Sequence, residues 1–278
     1  MTIKTKGMTV IGSFCWWNIR NVKIEKAKVA ALVEKFKIDC TLETMPVRCL
    51  FSRAIEEVKV KNQYKGLLVR KINKSPDEYL FGLVDEDIDP RAETLEYHHS
   101  ATMSFCPQTG DLTVDKPHRA FEVIVKALQD FDTYYNSEDI RNIILDAIKK
   151  VYSTSVRDRG GVYFIPAKFD AEVEALEKFV KAVGPECYFA AVPQIDLDKT
   201  KRSIYKAFSE ELHEKVLKYK TELGSETIRA STWEQRLEEY KELKAELEFY
   251  GDAFSMQSQD LAKEIDGLRT AVEKKLSA

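Results

Sequence analysis

Residues 66–114 read GLLVRKINKSPDEYLFGLVDEDIDPRAETLEYHHSATMSFCPQTGDLTV, and their period decides the fold class. Gly66–Ile72 is a short apolar run suited to a strand, Ser75-Pro76-Asp77 supplies a turn, and Tyr79–Val84 returns as a second strand. Thr94–Phe105 alternates, with Leu95, Tyr97, Ala101, Met103 and Phe105 on one parity, so these five are expected on one face of a third strand. Pro107–Asp111 is a hairpin turn, and Leu112–Val114 closes the run. The stretch predicts an antiparallel meander of about four strands.

Helical periods flank it. Val22–Phe36 and Val47–Val58 precede it, the second after Pro46 with Leu50, Phe51, Ala54, Ile55 and Val58 on one stripe. Two helices follow: one opened by Pro117, and one carrying Ile140, Ile143, Ile144, Ala147 and Ile148, for which Ser137 is the expected N-cap. Residues 160–193 then read as a strand, a helix and a strand. The class is α+β: a mixed body with an antiparallel β-meander, plus a long C-terminal helical extension.

That extension begins after Pro193, the last proline. Trp233, Leu237, Tyr240, Leu243, Leu247, Tyr250, Phe254, Leu261, Ile265, Leu268, Val272 and Leu276 recur at steps of three, four or seven, close to a heptad seam. As one helix it would run about 65 Å at ~1.5 Å per residue. Gly224 and Gly251 are the candidate breaks, and Gly251 either sits within the helix or marks a reversal into a hairpin. The expected domains are 1–195, globular, and 196–278, coiled-coil-like. An apolar stripe of this length must be covered, so Trp233, Leu237, Tyr240, Leu247, Tyr250, Phe254, Leu261, Ile265 and Leu268 form the candidate interface with a second copy or another protein.

Composition narrows the function. Among 278 residues, 43 Lys and Arg face 46 Asp and Glu, a net charge of −3, which excludes a histone-like basic chain and an acidic tail protein. No apolar run reaches ~18 residues, so no membrane span is expected. Five scattered cysteines without a CxxC pair predict reduced, buried thiols and a cytoplasmic chain. Neither GxSxG, HExxH, GxGxxG nor a Walker loop occurs, so no catalytic residue, metal or cofactor is assigned and a non-enzymatic role is expected.

Two local patterns carry the alternatives. Lys59, Lys61, Lys65, Arg70, Lys71 and Lys74 follow one another with no acid among them and with Tyr64 inside the run. Cations for phosphate beside an aromatic for a base suit nucleic acid. The bland reading is cross-strand ion pairing with Asp77, Glu78, Asp85 and Glu86. The loop Arg157-Asp158-Arg159-Gly160-Gly161 joins Arg157 and Arg159 to that alternative, against a reading as a plain strand-entry turn. A metal-dependent nuclease built on Asp39, Glu57, Lys59 or Asp85 is the remaining alternative.

Met45-Pro46, Phe51-Ser52-Arg53-Ala54, the strand Gly160–Pro166 and the helical run Thr232–Tyr250 resemble a family of phage- and plasmid-borne proteins of unknown function. The resemblance implies a mobile-element origin and an intracellular role, and brings no activity or site residues with it.

Overall fold

The computed structural model describes residues 9–42, 44–60, 67–89, 91, 93–157, 161–223, 230–256 and 259–276. In chain order the elements are β1 (Val10–Asn18), β2 (Lys23–Glu25), α1 (Lys26–Phe36), α2 (Val47–Val60), β3 (Leu67–Lys74), β4 (Tyr79–Asp89), β5 (Thr94–Phe105) and β6 (Leu112–Val114). Then come α3 (Arg119–Thr133), β7 (Tyr134–Asn136), α4 (Ser137–Lys149), β8 (Thr154–Ser155), β9 (Tyr163–Pro166), α5 (Asp170–Val183), β10 (Tyr188–Ile195), α6 (Asp198–Leu223), α7 (Ala230–Phe254) and α8 (Gln259–Leu276). The fold is α+β with antiparallel sheets, as the periods predict. No helix of the described residues is long and apolar enough to cross a membrane.

The chain divides into two compact units, and the division does not fall at residue 195. The first comprises the chain up to Arg20, Val33–Cys40 and everything from Asn142 onward; the second comprises Asn21–Leu32 and Thr41–Arg141. The chain passes between them four times: after Arg20, within α1, after Cys40 and within α4.

In the first unit the sheet order is β10-β1-β9-β8. β1 is antiparallel to both β9 and β10, so those two run parallel on either side of it, joined by α5 in a β-α-β crossover. Trp17 stacks between Tyr163 and Phe189, with ring centroids 5.3 and 5.9 Å away. Phe164 joins the core formed by α6, α7 and α8.

These helices fold back on their own unit, which corrects the expected interface. Tyr250 is fully buried, stacked on Phe208 at 4.4 Å, and its hydroxyl donates to the Tyr152 carbonyl at 2.6 Å. Trp233, Tyr240, Leu247, Phe254, Leu261, Ile265 and Leu268 are buried with it, and Leu237 packs half-buried against them. The seam is therefore an internal core, not a free surface. The seven-residue step between Phe254 and Leu261 is where the helix breaks. Gly251 stays inside α7 and is required there: a Cβ would stand 2.9 Å from the Met256 carbonyl, whose own N–H donates to the Gly251 carbonyl. Ser255 turns the chain at φ 56°. The other candidate break, Gly224, lies outside the described residues.

The second unit is the meander. Its order is β3-β4-β5-β6, every pair antiparallel. Val69, Leu83, Ala101, Met103 and Phe105 bury one face against Phe51, Ala54, Ile55 and Val58 of α2 and Ala120 and Ile124 of α3. Phe51 and Phe105 stack at 4.0 Å. Two local expectations change. Residues 23–25, expected within a helix, instead pair with β7. The cap of α4 is Asn136, whose Oδ1 accepts from the Glu138 and Asp139 N–H groups, while Asp139 accepts from the Asn136 N–H. The Ser137 hydroxyl is occupied by the Val22 N–H.

Candidate functional site

The face of the meander turned away from α2 and α3 is the first candidate. Alternation puts Arg70 on it, in register with Gly82 and Thr102. The next row is Val84 and His99, and beyond it Glu86 lies opposite Tyr97. Leu83 pairs with Ala101 but Val84 pairs with His99, so Ser100 is an extra residue, a β-bulge. The bulge reverses the face of everything before it. Leu95 and Tyr97, expected inside with Ala101, Met103 and Phe105, are thereby turned outward and are 50% and 55% exposed. Ile72, beside a second register shift in β3, is 58% exposed.

β3 is an edge strand and carries the described part of the basic run. The cross-strand partners of Arg70, Lys71 and Lys74 are Gly82, Phe81 and Tyr79, none of them acidic. Among the described residues Arg70 and Lys71 have no ion pair, and Lys74 sits over the Tyr79 ring at 4.8 Å. Three of the four acids expected to absorb this charge are engaged elsewhere, and Glu86 lies opposite Tyr97 on β5. Asp77 accepts from Gln108, Glu78 from Ser104, and Asp85 from Ser100, His118 and Arg119. Lys61, Lys65 and Arg159 lie outside the described residues, and of Lys59 only the backbone, in α2, is described. Arg157 is exposed in the other unit, at the start of a loop joining the antiparallel pair β8 and β9, closed by a Val156 N–H to Val162 carbonyl bond. Gly161 there has φ 94°, a backbone reason for glycine.

The Asp85 cluster has serine, histidine and aspartate in contact, but in an order unsuited to nucleophilic catalysis. The Ser100 hydroxyl and His118 Nε2 both point at the Asp85 carboxylate, at 2.6 and 3.3 Å. His118 Nδ1 accepts the Ala120 N–H, capping α3, which fixes the proton on Nε2. The hydroxyl thus bonds the carboxylate and not the imidazole, so it lacks the adjacent base that activation requires. The Ser100 hydrogen bond, with His118 and Arg119, holds the Asp85 carboxyl below its ordinary range. The set ties β4 and β5 to the start of α3. For the nuclease alternative, Asp39 belongs to the first unit, bound to Lys150 at 2.9 Å, whereas Glu57 and Asp85 belong to the second. No group of three His, Cys, Asp or Glu side chains able to hold a metal converges among the described residues. Of the five thiols only Cys15 and Cys187 are buried, and Cys49 is exposed.

A cleft of about 720 Å³ opens in the first unit, lined by Tyr163, Glu211, Lys215, Tyr219, Glu242 and Glu246 among others. Glu211 is fully engaged: it accepts from the Thr154 hydroxyl and the Ser155 N–H and pairs with Lys215 at 3.0 Å. Glu246 has no hydrogen bond among the described residues, and burial pushes its carboxyl up to about 7, with Glu211 and Glu242 adding to the rise against Lys215. The sign for stability follows. Between its ordinary 4.5 and about 7 the folded chain binds more proton at this site than the unfolded chain, so this contribution falls as pH rises. Glu246→Gln is expected to raise stability at pH 8 by about 1–3 kcal/mol and to leave it nearly unchanged at pH 4. Urea midpoints of both proteins at the two pH values check this; equal midpoints at pH 8 would disprove it.

Residues 10–278 match the model of a family described as one of unknown function. No curated protein and no solved structure matches the chain.

Proposed function

The chain belongs to that family, DUF6744, and we propose that it is a nucleic-acid-binding protein acting through the β3 edge of its meander. The observation that carries this reading is the pair Arg70 and Lys71, exposed on a free sheet edge without counter-ions among the described residues. A cation left unpaired by its own fold is available to a phosphate, and binding then releases the counter-ions condensed on the nucleic acid. The resemblance to phage- and plasmid-borne proteins supports a mobile-element origin within the same reading.

The test is fluorescence anisotropy with a labelled oligonucleotide across a salt series starting near ~50 mM. Affinity is expected to fall steeply with salt. Arg70→Gln together with Lys71→Gln is expected to weaken binding about tenfold and to flatten the logarithmic salt slope by about 1.4, two phosphates at ~0.7 each for a single strand. No binding at the lowest salt would end the proposal.

Self-association has a specific surface in its favour, though not the seam. β10 is an edge strand of 8 residues without a charged side chain, and it exposes Tyr188 and Val192. Uncharged edges invite pairing with another strand, and Pro193 confines that here to Tyr188–Val192. Light scattering at two protein concentrations tests it: a mass above 32 kDa that rises with concentration supports pairing, and a constant 32 kDa removes it.

A further inference from the structure

The outer face of the meander carries more than a phosphate-binding edge requires. We infer that it takes the unpaired bases of a single-stranded nucleic acid, with the backbone along β3 and the bases laid toward β5. This rests on the nucleic-acid reading above and deepens it to a substrate class.

Charge sets the direction across the sheet. On β3, at the sheet edge, Arg70 stands on the outer face, and Lys71 and Lys74, opposite the core-packed Phe81 and Tyr79, flank the edge from the other face. Glu86 lies on the outer face of β4, opposite Tyr97 of β5. Phosphates are attracted to the first side and repelled from the second. A strand bound with its backbone on β3 therefore points its bases inward over the face.

What they meet there suits a base and not a phosphate. Ile72 and Tyr97 are more than half exposed, and no helix of this unit's core packs on their side of the sheet. Among the described residues Tyr97 makes no ring contact, so its π-face is free. Between Ile72 and His99 the floor is Gly82. Its Cα position lies in ordinary contact range of both, with a Cβ there 3.4 Å from the His99 ring and 3.5 Å from the Ile72 methyl, so these two side chains lie over the strand at this point. The Thr102 hydroxyl, 3.3 Å from His99 Nε2, holds the imidazole in place. Two residues of strand separate His99 from Tyr97, about 6.6 Å, enough for one base on each. Stacking on such rings is indifferent to base identity, because every base has a π-face. A duplex keeps its bases inside and presents only phosphates, so it would engage β3 and leave Tyr97, His99 and Ile72 bare.

The test compares a labelled oligo-dT with a duplex of equal length, using the full chain at low salt. The single strand is expected to bind at least tenfold more tightly. Tyr97→Ala is expected to cost about 5- to 100-fold in single-strand affinity, with the salt slope unchanged and duplex binding unaffected. Tyr97→Phe should restore the affinity, since the ring and not the hydroxyl stacks. Thermal melting of each variant checks folding, and the exposure of Tyr97 makes unfolding an unexpected result. If duplex binds as tightly as single strand, or Tyr97→Ala changes nothing while the Arg70 and Lys71 substitutions still weaken binding, base stacking is overturned and the nucleic-acid reading survives. If poly-glutamate competes as well as oligo-dT, the face reads negative charge alone and the inference fails. If neither nucleic acid binds, both readings fall together.

Discussion

Ile265→Lys is expected to abolish cooperative folding of the helical part of the chain. Ile265 is buried among α6, α7 and α8, in one core with Tyr250 and Phe208. An ammonium placed there would sit among apolar side chains, and burying an unpaired charge is among the few changes that cost more than about 4 kcal/mol. The readout is helical circular dichroism during urea unfolding, beside solution mass. If the seam were instead an interface between copies, the variant would stay folded and only its mass would fall. Leu217→Lys, at an exposed position on the outside of α6, supplies the contrast and is expected to change stability by less than about 0.5 kcal/mol.

The second large effect is at Arg236. Its guanidinium binds Glu222 through two nitrogens, at 2.8 and 3.1 Å, and also bonds Glu239. It lies over the Tyr219 ring at 4.4 Å, and the Tyr219 hydroxyl donates to Glu239 at 2.7 Å. The Arg236 side chain is only 14% exposed. Removing it leaves two partly buried carboxylates without their cation, a situation that costs about 3–5 kcal/mol at a fully buried site. With the residual exposure of Glu222 and Glu239, Arg236→Ala is expected to cost about 2–4 kcal/mol in a denaturant titration. Arg236→Met combined with Glu222→Gln and Glu239→Gln should recover most of that loss, because the penalty lies in the stranded charges. A single-variant loss below about 0.5 kcal/mol would show that the network is solvated and contributes little.

Much of the fold was legible. The turn residues Ser75-Pro76-Asp77 and Pro107–Asp111 delimit strands where the structure has them, because such residues punctuate by local backbone chemistry. The α2 stripe from Leu50 to Val58 is buried as its spacing predicts. The candidate site was legible only in part. Arg70, Lys71 and Lys74 stand out by composition, but that they lack acidic partners among the described residues depends on β3 lying opposite Phe81, Gly82 and Tyr79. Tyr97 was missed as a surface residue because strict alternation carries it inside. A single inserted residue, Ser100, reverses that parity and has no compositional signature. The cleft at Glu246 was also missed, since it draws on α4, β8, β9, α6 and α7, far apart in the chain.

The sequence by itself determined what each segment must do locally: alternate as a strand, wind as a helix, turn at Pro and Gly, and bury the stripe from Trp233 to Leu276. It demanded that the stripe be covered without saying by what, because periodicity describes one surface and burial needs two. The tertiary structure decided that the cover is the chain's own α6 and sheet residue Phe164, with the break after Phe254 folding α8 back. It likewise decided which cations remain unpaired among the described residues, since an ion pair depends on register across strands and not on charge along one.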